Sequence, residues 1–418
     1  MIILFEPQCT GIGHEQFNAG FLYGYTLAYP EEMIVFFGEK EHLKCVQVIF
    51  AKNNISIRNI TFSEIEIPNA NSPASFFEYI KILNKILLYA TENKSKKLVL
   101  LSIHTHNLIP LKYILQTKYH NSIQVHIVMH GILESIKRKN WPSLIDISRK
   151  IYRRVRKFLG IDLIKKKVEP TNHYLFEKTF KFSLHLFSNK NITYFVFRDD
   201  SLNKINHYLP KIHNHFKSID LPYIFDSQNI QIDTSKVISF TAFEKEYADE
   251  LTKIVSTLIK EETIVDKFEL CIIGSRTNKI LSEYKPVKFL ENQKKLTREE
   301  IDRLIKDTSY LLFFYPEYSY ELTTSGMFFD AIAYCKPVIF LSNPCINFYF
   351  DRYKFGYKCN NLDEMISVMK KLILAEDIHY QDFISEIRRM QQATSIKNNY
   401  HKLMFNVSQN IINEKDLG

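Results

Sequence analysis

A run of small polar residues, Thr323-Thr324-Ser325-Gly326, separates an apolar stretch at 310–315 from a helical pattern that begins at Ser325. Amide N–H groups at a helix start, backed by the helix dipole, favour an anion such as phosphate. Asp330 follows within that helix, and Lys336-Pro337 leads into a second apolar run at 337–341. Three further residues could move protons. His14 and Glu15 follow Gly11-Ile12-Gly13 after the first apolar segment, and His130 closes another apolar run. An imidazole or carboxylate serves as a general base once it reaches the reacting group. The Gly11-Ile12-Gly13 loop is too short for the dinucleotide fingerprint G-x-G-x-x-G. His104-Thr105-His106 lacks an acidic or cysteine partner at metal-ligand spacing, so it reads as a polar loop.

Elements that could position these residues recur along the chain. Continuous apolar segments at 1–5, 33–37, 97–103, 124–129 and 192–197 alternate with helical patterns at 16–28, 42–52, 75–93, 108–118 and 201–208. Such alternation predicts a parallel sheet covered on both faces, with ligands beyond the C-terminal strand ends. His14, His104 and His130 all fall at such ends. The stretch 221–235 is polar with no period and predicts the link between domains. A second series then begins, with strands at 236–240, 268–273, 287–290, 310–315 and 337–341. Thr297-Arg298-Glu299-Glu300 is a capping-box signature opening a helix to 306.

Bulk properties exclude several classes. The 418 residues, 45% hydrophobic and 24% charged, fit a globular protein of two domains. No apolar run approaches the length of a membrane span. The N-terminal segment has no basic n-region and reads as a core strand. The six cysteines show no paired spacing, which predicts neither a disulfide framework nor a zinc site and fits a reducing cytosol. Of the net charge of +9, the segment 137–167 alone carries twelve Lys or Arg against two Asp. There Trp141 precedes apolar positions at helical spacing, with Arg149, Lys150, Arg153, Arg154 and Lys157 between them. A basic amphipathic helix of this kind suits an anionic membrane surface. The alternative is a solvated helix packed on the first domain. Nucleic-acid binding is disfavoured because no stacking platform or groove-reading motif accompanies the charge.

The second half resembles the nucleotide-sugar-binding domain of GT-B glycosyltransferases related to the Glu-x7-Glu family. Ser239–Lys245 is similar to that family's Gly-Arg-x4-Lys phosphate segment, with Lys245 at the Lys position and Phe240 replacing the Arg. Asp330-Ala-Ile-Ala-Tyr-Cys-Lys-Pro-Val-Ile339 resembles the family's Glu-Ala-Met-Ala-x-Gly-x-Pro-Val-Ile. Asp330 then stands where the second Glu would grip the ribose hydroxyls. The first Glu does not align: Leu322 stands at its position, with Glu321 one place earlier, so the acid is either shifted to Glu321 or lost. The Thr-Ser-Gly variant resembles members in which Ser and Gly amides hold the diphosphate.

The resemblance implies an α/β GT-B protein, two Rossmann-like domains with parallel sheets facing a central cleft. Residues 1–225 would form the acceptor domain, with the basic insertion 137–167, and 226–380 the donor domain. The tail 381–418 would cross back onto the first domain. Lys245, Arg276, Glu321, Thr324, Ser325, Gly326 and Asp330 would bind the donor. His14, Glu15 and His130 would face the reacting sugar, with Gly11 and Gly13 shaping the acceptor-side loop. The implied reaction moves a sugar from a nucleotide-sugar to a hydroxyl of a glycan or lipid-linked acceptor in bacterial surface polysaccharide synthesis. It would run in the cytoplasm, at the inner face of the membrane. No cofactor or metal is expected: a helix start can stabilise the diphosphate, and no Asp-x-Asp occurs. The alternatives are a nucleotide-sugar epimerase of the same fold and a non-catalytic, membrane-associated assembly protein.

Overall fold

The computed structural model describes residues 1–68, 75–120, 122–137, 179–225, 238–243, 248–274, 286–291, 297–375 and 379–405. Two parallel sheets organise them. The first has seven strands in the order β3-β2-β1-β4-β5-β6-β7. These are β1 (Ile2–Phe5), β2 (Ile34–Gly38), β3 (Ile60–Glu64), β4 (Lys97–Leu100), β5 (Gln124–Val128), β6 (Ile192–Val196) and β7 (Phe216–Ser218). The second has six in the order β10-β9-β8-β11-β12-β13. These are β8 (Ile238–Phe243), β9 (Phe268–Gly274), β10 (Val287–Glu291), β11 (Tyr310–Phe313), β12 (Val338–Leu341) and β13 (Gly356–Cys359). In each sheet the order reverses beside the first strand, between β1 and β4 and between β8 and β11. That reversal opens a crevice at the C-terminal strand ends.

The strands form where apolar residues run without interruption. Ile2, Ile3, Leu4 and Phe5 are all fully buried, as are Leu98, Val99 and Leu100. Residues one apart point to opposite faces, so such runs require cover on both sides. Helices supply it: α1 (Glu15–Ala28), α2 (Lys40–Lys52), α3 (Ser75–Glu92) and α4 (Thr105–Thr117) on the first sheet. On the second, α5 (Arg298–Lys306) starts with the expected capping box. Thr297 Oγ1 accepts from the Glu300 N–H at 3.3 Å, and Glu300 Oε2 accepts from the Thr297 N–H at 2.7 Å. The other second-sheet helices include α6 (Gly326–Ala333), α7 (Pro344–Phe350) and α8 (Leu362–Ile373).

The chain then returns to the first half. Helix α9 (Tyr380–Thr394) is followed by short turns at Ile396–Asn399 and Tyr400–Leu403 that pack on α1. Glycines on α1 permit that approach. A Cβ at Gly24 would lie 2.6 Å from Leu403 Cδ1 and 2.7 Å from Ile396 Cδ1; one at Gly20 would lie 1.5 Å from the carbonyl oxygen of Pro222, which packs on the same helix ahead of the second sheet. Phe405 stacks on the buried His126 ring at 3.5 Å between centroids. Among the described residues no helix is long and apolar enough to cross a membrane.

Candidate functional site

The loop after β1 is folded around a buried carboxylate. Glu6 accepts from the Gln8 N–H at 2.8 Å, the Cys9 N–H at 3.1 Å and Asn18 Nδ2 at 2.9 Å, and it also bonds the Ser102 hydroxyl. Asn18 Nδ2 also meets His42 Nε2 at 2.8 Å. An amide nitrogen can only donate, so His42 Nε2 is the acceptor and its Nδ1–H donates to the Gly11 carbonyl at 2.9 Å. Glu39, which caps α2, also takes the Gly11 N–H at 3.2 Å. These ties bend the loop sharply. Gly11 has φ 53° and His14 φ 58°. Glycine adopts that left-handed region freely, whereas histidine is strained there. His14 is thereby turned into the cleft at the start of α1.

The loop after β11 is held from the opposite half. Glu134, in the turn after His130, accepts from the Leu322 N–H at 2.7 Å and from both the N–H and the hydroxyl of Thr323 at 3.0 Å. Arg198, at the end of β6 and with a fully buried side chain, donates to the Tyr320, Thr323 and Glu321 carbonyls at 3.0, 2.9 and 2.6 Å. Lys137 donates to the Tyr318 carbonyl at 2.9 Å and pairs with Glu321 at 3.1 Å. The loop thus delivers Ser325 to the N-cap of α6. The Ser325 Oγ accepts from the Phe328 N–H at 3.2 Å and meets the Tyr315 hydroxyl at 2.7 Å. That cap satisfies one first-turn donor, and helix geometry leaves the Gly326 and Met327 amides at the cleft. Gly326 has no left-handed φ, and a Cβ there would meet nothing within 4 Å. Neither a turn nor packing demands glycine here. Its absent side chain instead leaves room for a ligand to approach the backbone.

The two loops face each other across a cleft of about 310 Å³. His14, Glu15 and His130 line it from the first half; Thr324, Ser325, Gly326 and Asp330 line it from the second. Arg298, the first residue of α5, crosses between them. Its fork reaches Asp330 through Nη2–Oδ1 at 2.8 Å and Nη1–Oδ2 at 3.3 Å. It also lies 3.5 Å from Glu15 Oε1 and 2.7 Å from Asp302 Oδ1. Tyr223 donates to Asp330 Oδ1 at 2.9 Å, and Lys52 to Asp302 Oδ2 at 3.1 Å. Burial works against the guanidinium charge, but Asp330, Tyr223 and Asp302 raise its pKa above the ordinary value. One arginine therefore balances three carboxylates from both halves.

Burial pushes the Glu15 carboxyl up from 4.5 to about 7, with Arg298 opposing and Asp330 and Asp302 assisting. Its protonated form is thus favoured by the fold. The stability it contributes is complete below pH 4.5 and is lost as the pH rises through about 7. Glu15→Gln is expected to stabilise the protein at pH 8, by on the order of 3 kcal/mol at most, and to have little effect at pH 4. Thermal unfolding at the two pH values checks this.

Burial disfavours the charged form of both cleft imidazoles, His14 and His130. His14 has an exposed edge, but the cleft walls strip water from the ring and lower its pKa, with Glu6 opposing. Burial lowers His130 to about 3, aided by His14 and His104. The His14 and His130 rings meet edge to face, with centroids 4.6 Å apart.

Seven of the residues singled out from sequence therefore share one cleft. Glu321 does not line it, because its carboxylate is turned to Lys137. Asp330 lines it, but both its oxygens are engaged by Arg298 and Tyr223. Gly11 and Gly13 shape the first loop without lining the cleft. Lys245 and Arg276 lie outside the described residues, as do Trp141, Arg149, Lys150, Arg153, Arg154 and Lys157. Among the described residues no His, Cys, Asp and Glu cluster is placed to hold a metal ion. Arg298, Tyr223, Glu134 and Arg198 were missed from sequence. Arg298 carried one signal: a cation in the first turn opposes the helix dipole and needs a tertiary partner.

No protein-family model matches the chain, and no curated protein matches its sequence. Solved structures match its fold. HepE from Anabaena, crystallised with UDP and glucose, superposes with a TM-score of 0.56 at 12% identity, over 96% of this chain and 98% of that one. WaaG, a glycosyltransferase involved in lipopolysaccharide biosynthesis, gives 0.55 at 10% identity over 96% and 98%. Sucrose-phosphate synthase from Thermosynechococcus elongatus gives 0.57 at 11% over 94% of each chain. The protein has the GT-B fold, two Rossmann-like parallel sheets whose strand ends face a shared cleft.

Proposed function

We propose that the protein is a glycosyltransferase that moves a sugar from a nucleotide-sugar donor to a hydroxyl acceptor. The observation that carries this reading is the pairing of loops across one cleft. A strained histidine and a buried carboxyl from the first half face a helix start and Asp330 from the second. Transfer between two substrates needs such a meeting, with the leaving phosphate on one side and the proton acceptor on the other. The Gly326 and Met327 amides and the α6 dipole would take the charge developing on the diphosphate, so no metal is required. Asp330 would hold the ribose hydroxyls once Arg298 yields to them. His14, uncharged and open to the cleft, would take the proton of the attacking hydroxyl. His130, too weakly basic for that step, would only hydrogen-bond.

HepE was crystallised with UDP and glucose. This supports a uridine nucleotide-sugar as the first donor to test. WaaG acts in lipopolysaccharide biosynthesis. Together with the basic segment 137–167, it supports a glycan or lipid-linked acceptor at the inner face of a bacterial membrane. In this reading, residues 1–225 hold the acceptor and 226–380 the donor.

Gly326→Leu tests the site directly. A Cβ there has free space, so the fold should stand, but the longer side chain would cover the first-turn amides. UDP and UDP-glucose should bind the wild type in a calorimetric titration and bind the variant at least tenfold more weakly, with an unchanged unfolding midpoint. Equal affinities would remove α6 as the phosphate site.

A further inference from the structure

A second, smaller space of about 130 Å³ lies beside the main cleft. His14 and His130 line both spaces. Every other residue around the smaller one comes from the first half, among them Gln8, Ser102, His104 and Gly131. We propose that this chamber is an acceptor subsite that receives an uncharged, hydroxyl-bearing sugar ring, with the His14–His130 pair forming the wall between acceptor and donor. The proposal rests on the glycosyltransferase reading above and locates its second substrate.

Four observations support it. First, Gln8 Nε2 and His130 Nε2 are buried and have no protein partner. A buried polar group left without a partner is costly, so both gain from a ligand. A hydroxyl suits them, because it accepts from the Gln8 amide and can either donate to or accept from an imidazole. Second, the chamber disfavours anions. Glu6 backs it through the Ser102 hydroxyl and the Cys9 N–H. A phosphate there would meet a buried carboxylate. Burial disfavours the charged form of His130, so that ring offers no compensating cation. Third, Ile103 and Ile132 give the chamber apolar wall that a sugar's C–H face can cover. Fourth, a Cβ at Gly131 would meet nothing within 4 Å. The glycine keeps the chamber open without serving a turn of positive φ.

The last point supplies the test. Gly131→Val fills the chamber from a position where added atoms have room, and Gln8→Leu removes only the amide. The probes are the methyl glycosides of glucose, galactose and N-acetylglucosamine, offered with UDP and read by saturation-transfer NMR on the full chain. At least one glycoside should show transfer with the wild type, and the signal should fall at least fivefold in both variants. UDP affinity, measured by calorimetry, should stay within twofold. An undiminished glycoside signal in Gly131→Val, or no glycoside signal from the wild type, overturns the proposal. So does a Gly131→Val protein that loses the added affinity of UDP-glucose over UDP, because the chamber would then hold the donor's own sugar. Failure of the wild type to bind UDP is a separate result and refutes the donor reading.

Discussion

Arg298→Leu is expected to destabilise the protein by about 3–5 kcal/mol, the usual consequence of removing one partner from a buried ion pair. Three carboxylates converge on this guanidinium, and Glu15 and Asp330 are each 4% exposed. Without it they keep Tyr223 on Asp330 and Lys52 on Asp302, but Glu15 loses the Arg298 charge that holds its pKa down. The loss should therefore be larger at pH 8, where the wild-type Glu15 is mostly ionised, than at pH 5, where it is already protonated. Denaturant unfolding at the two pH values measures it, and a pH-independent difference would show that Glu15 is not part of the balance. Arg298→Lys should recover part of the loss, since an ammonium restores charge but not the two-pronged contact.

His14→Asn is expected to lower kcat by about 10²–10⁴-fold, the range for loss of a general base. Asparagine is chosen because it tolerates the left-handed backbone that His14 adopts at φ 58°. The loop should keep its shape, and UDP affinity should stay within twofold. The rate is followed as nucleotide release with the donor that binds best in the calorimetric titration. Loss of nucleotide affinity in step with the rate would mean that His14 positions the donor and does not take the proton.

Legibility from sequence followed burial. Strands at the centre of each sheet, such as Ile2–Phe5 and Tyr310–Phe313, stand out because both faces are covered and every position is apolar. The three strands that sequence reading missed, β3, β7 and β13, are all outermost in their sheets. Their segments Ile60-Thr-Phe-Ser-Glu64, Phe216-Lys-Ser218 and Gly356-Tyr-Lys-Cys359 carry polar residues where one edge meets water, as edge strands do. Helix α7 was missed because Pro344 reads as a break, although proline is favoured at a first helical position.

The cleft residues divide in the same way. His14, Glu15, His130 and Ser325 could be picked out because strand ends in a parallel sheet are where ligands collect. Arg298 and Asp330 could not be paired from sequence, being 32 positions apart and joined only by the fold. Glu134 was hidden for a further reason. A glutamate in a surface-like turn shows nothing of the loop it grips 188 positions away.

That grip has a consequence for engineering. Leu322 and Thr323 take their backbone shape from Glu134, while Arg198 draws in the carbonyls on either side. The second half borrows the form of the loop before α6 from the first. Module exchange, in which one half is grafted onto a partner from a different protein to change specificity, therefore has a rule here. Glu134 and Arg198 must travel with the loop 316–325, or be rebuilt in the recipient, for the grafted cradle to hold its shape.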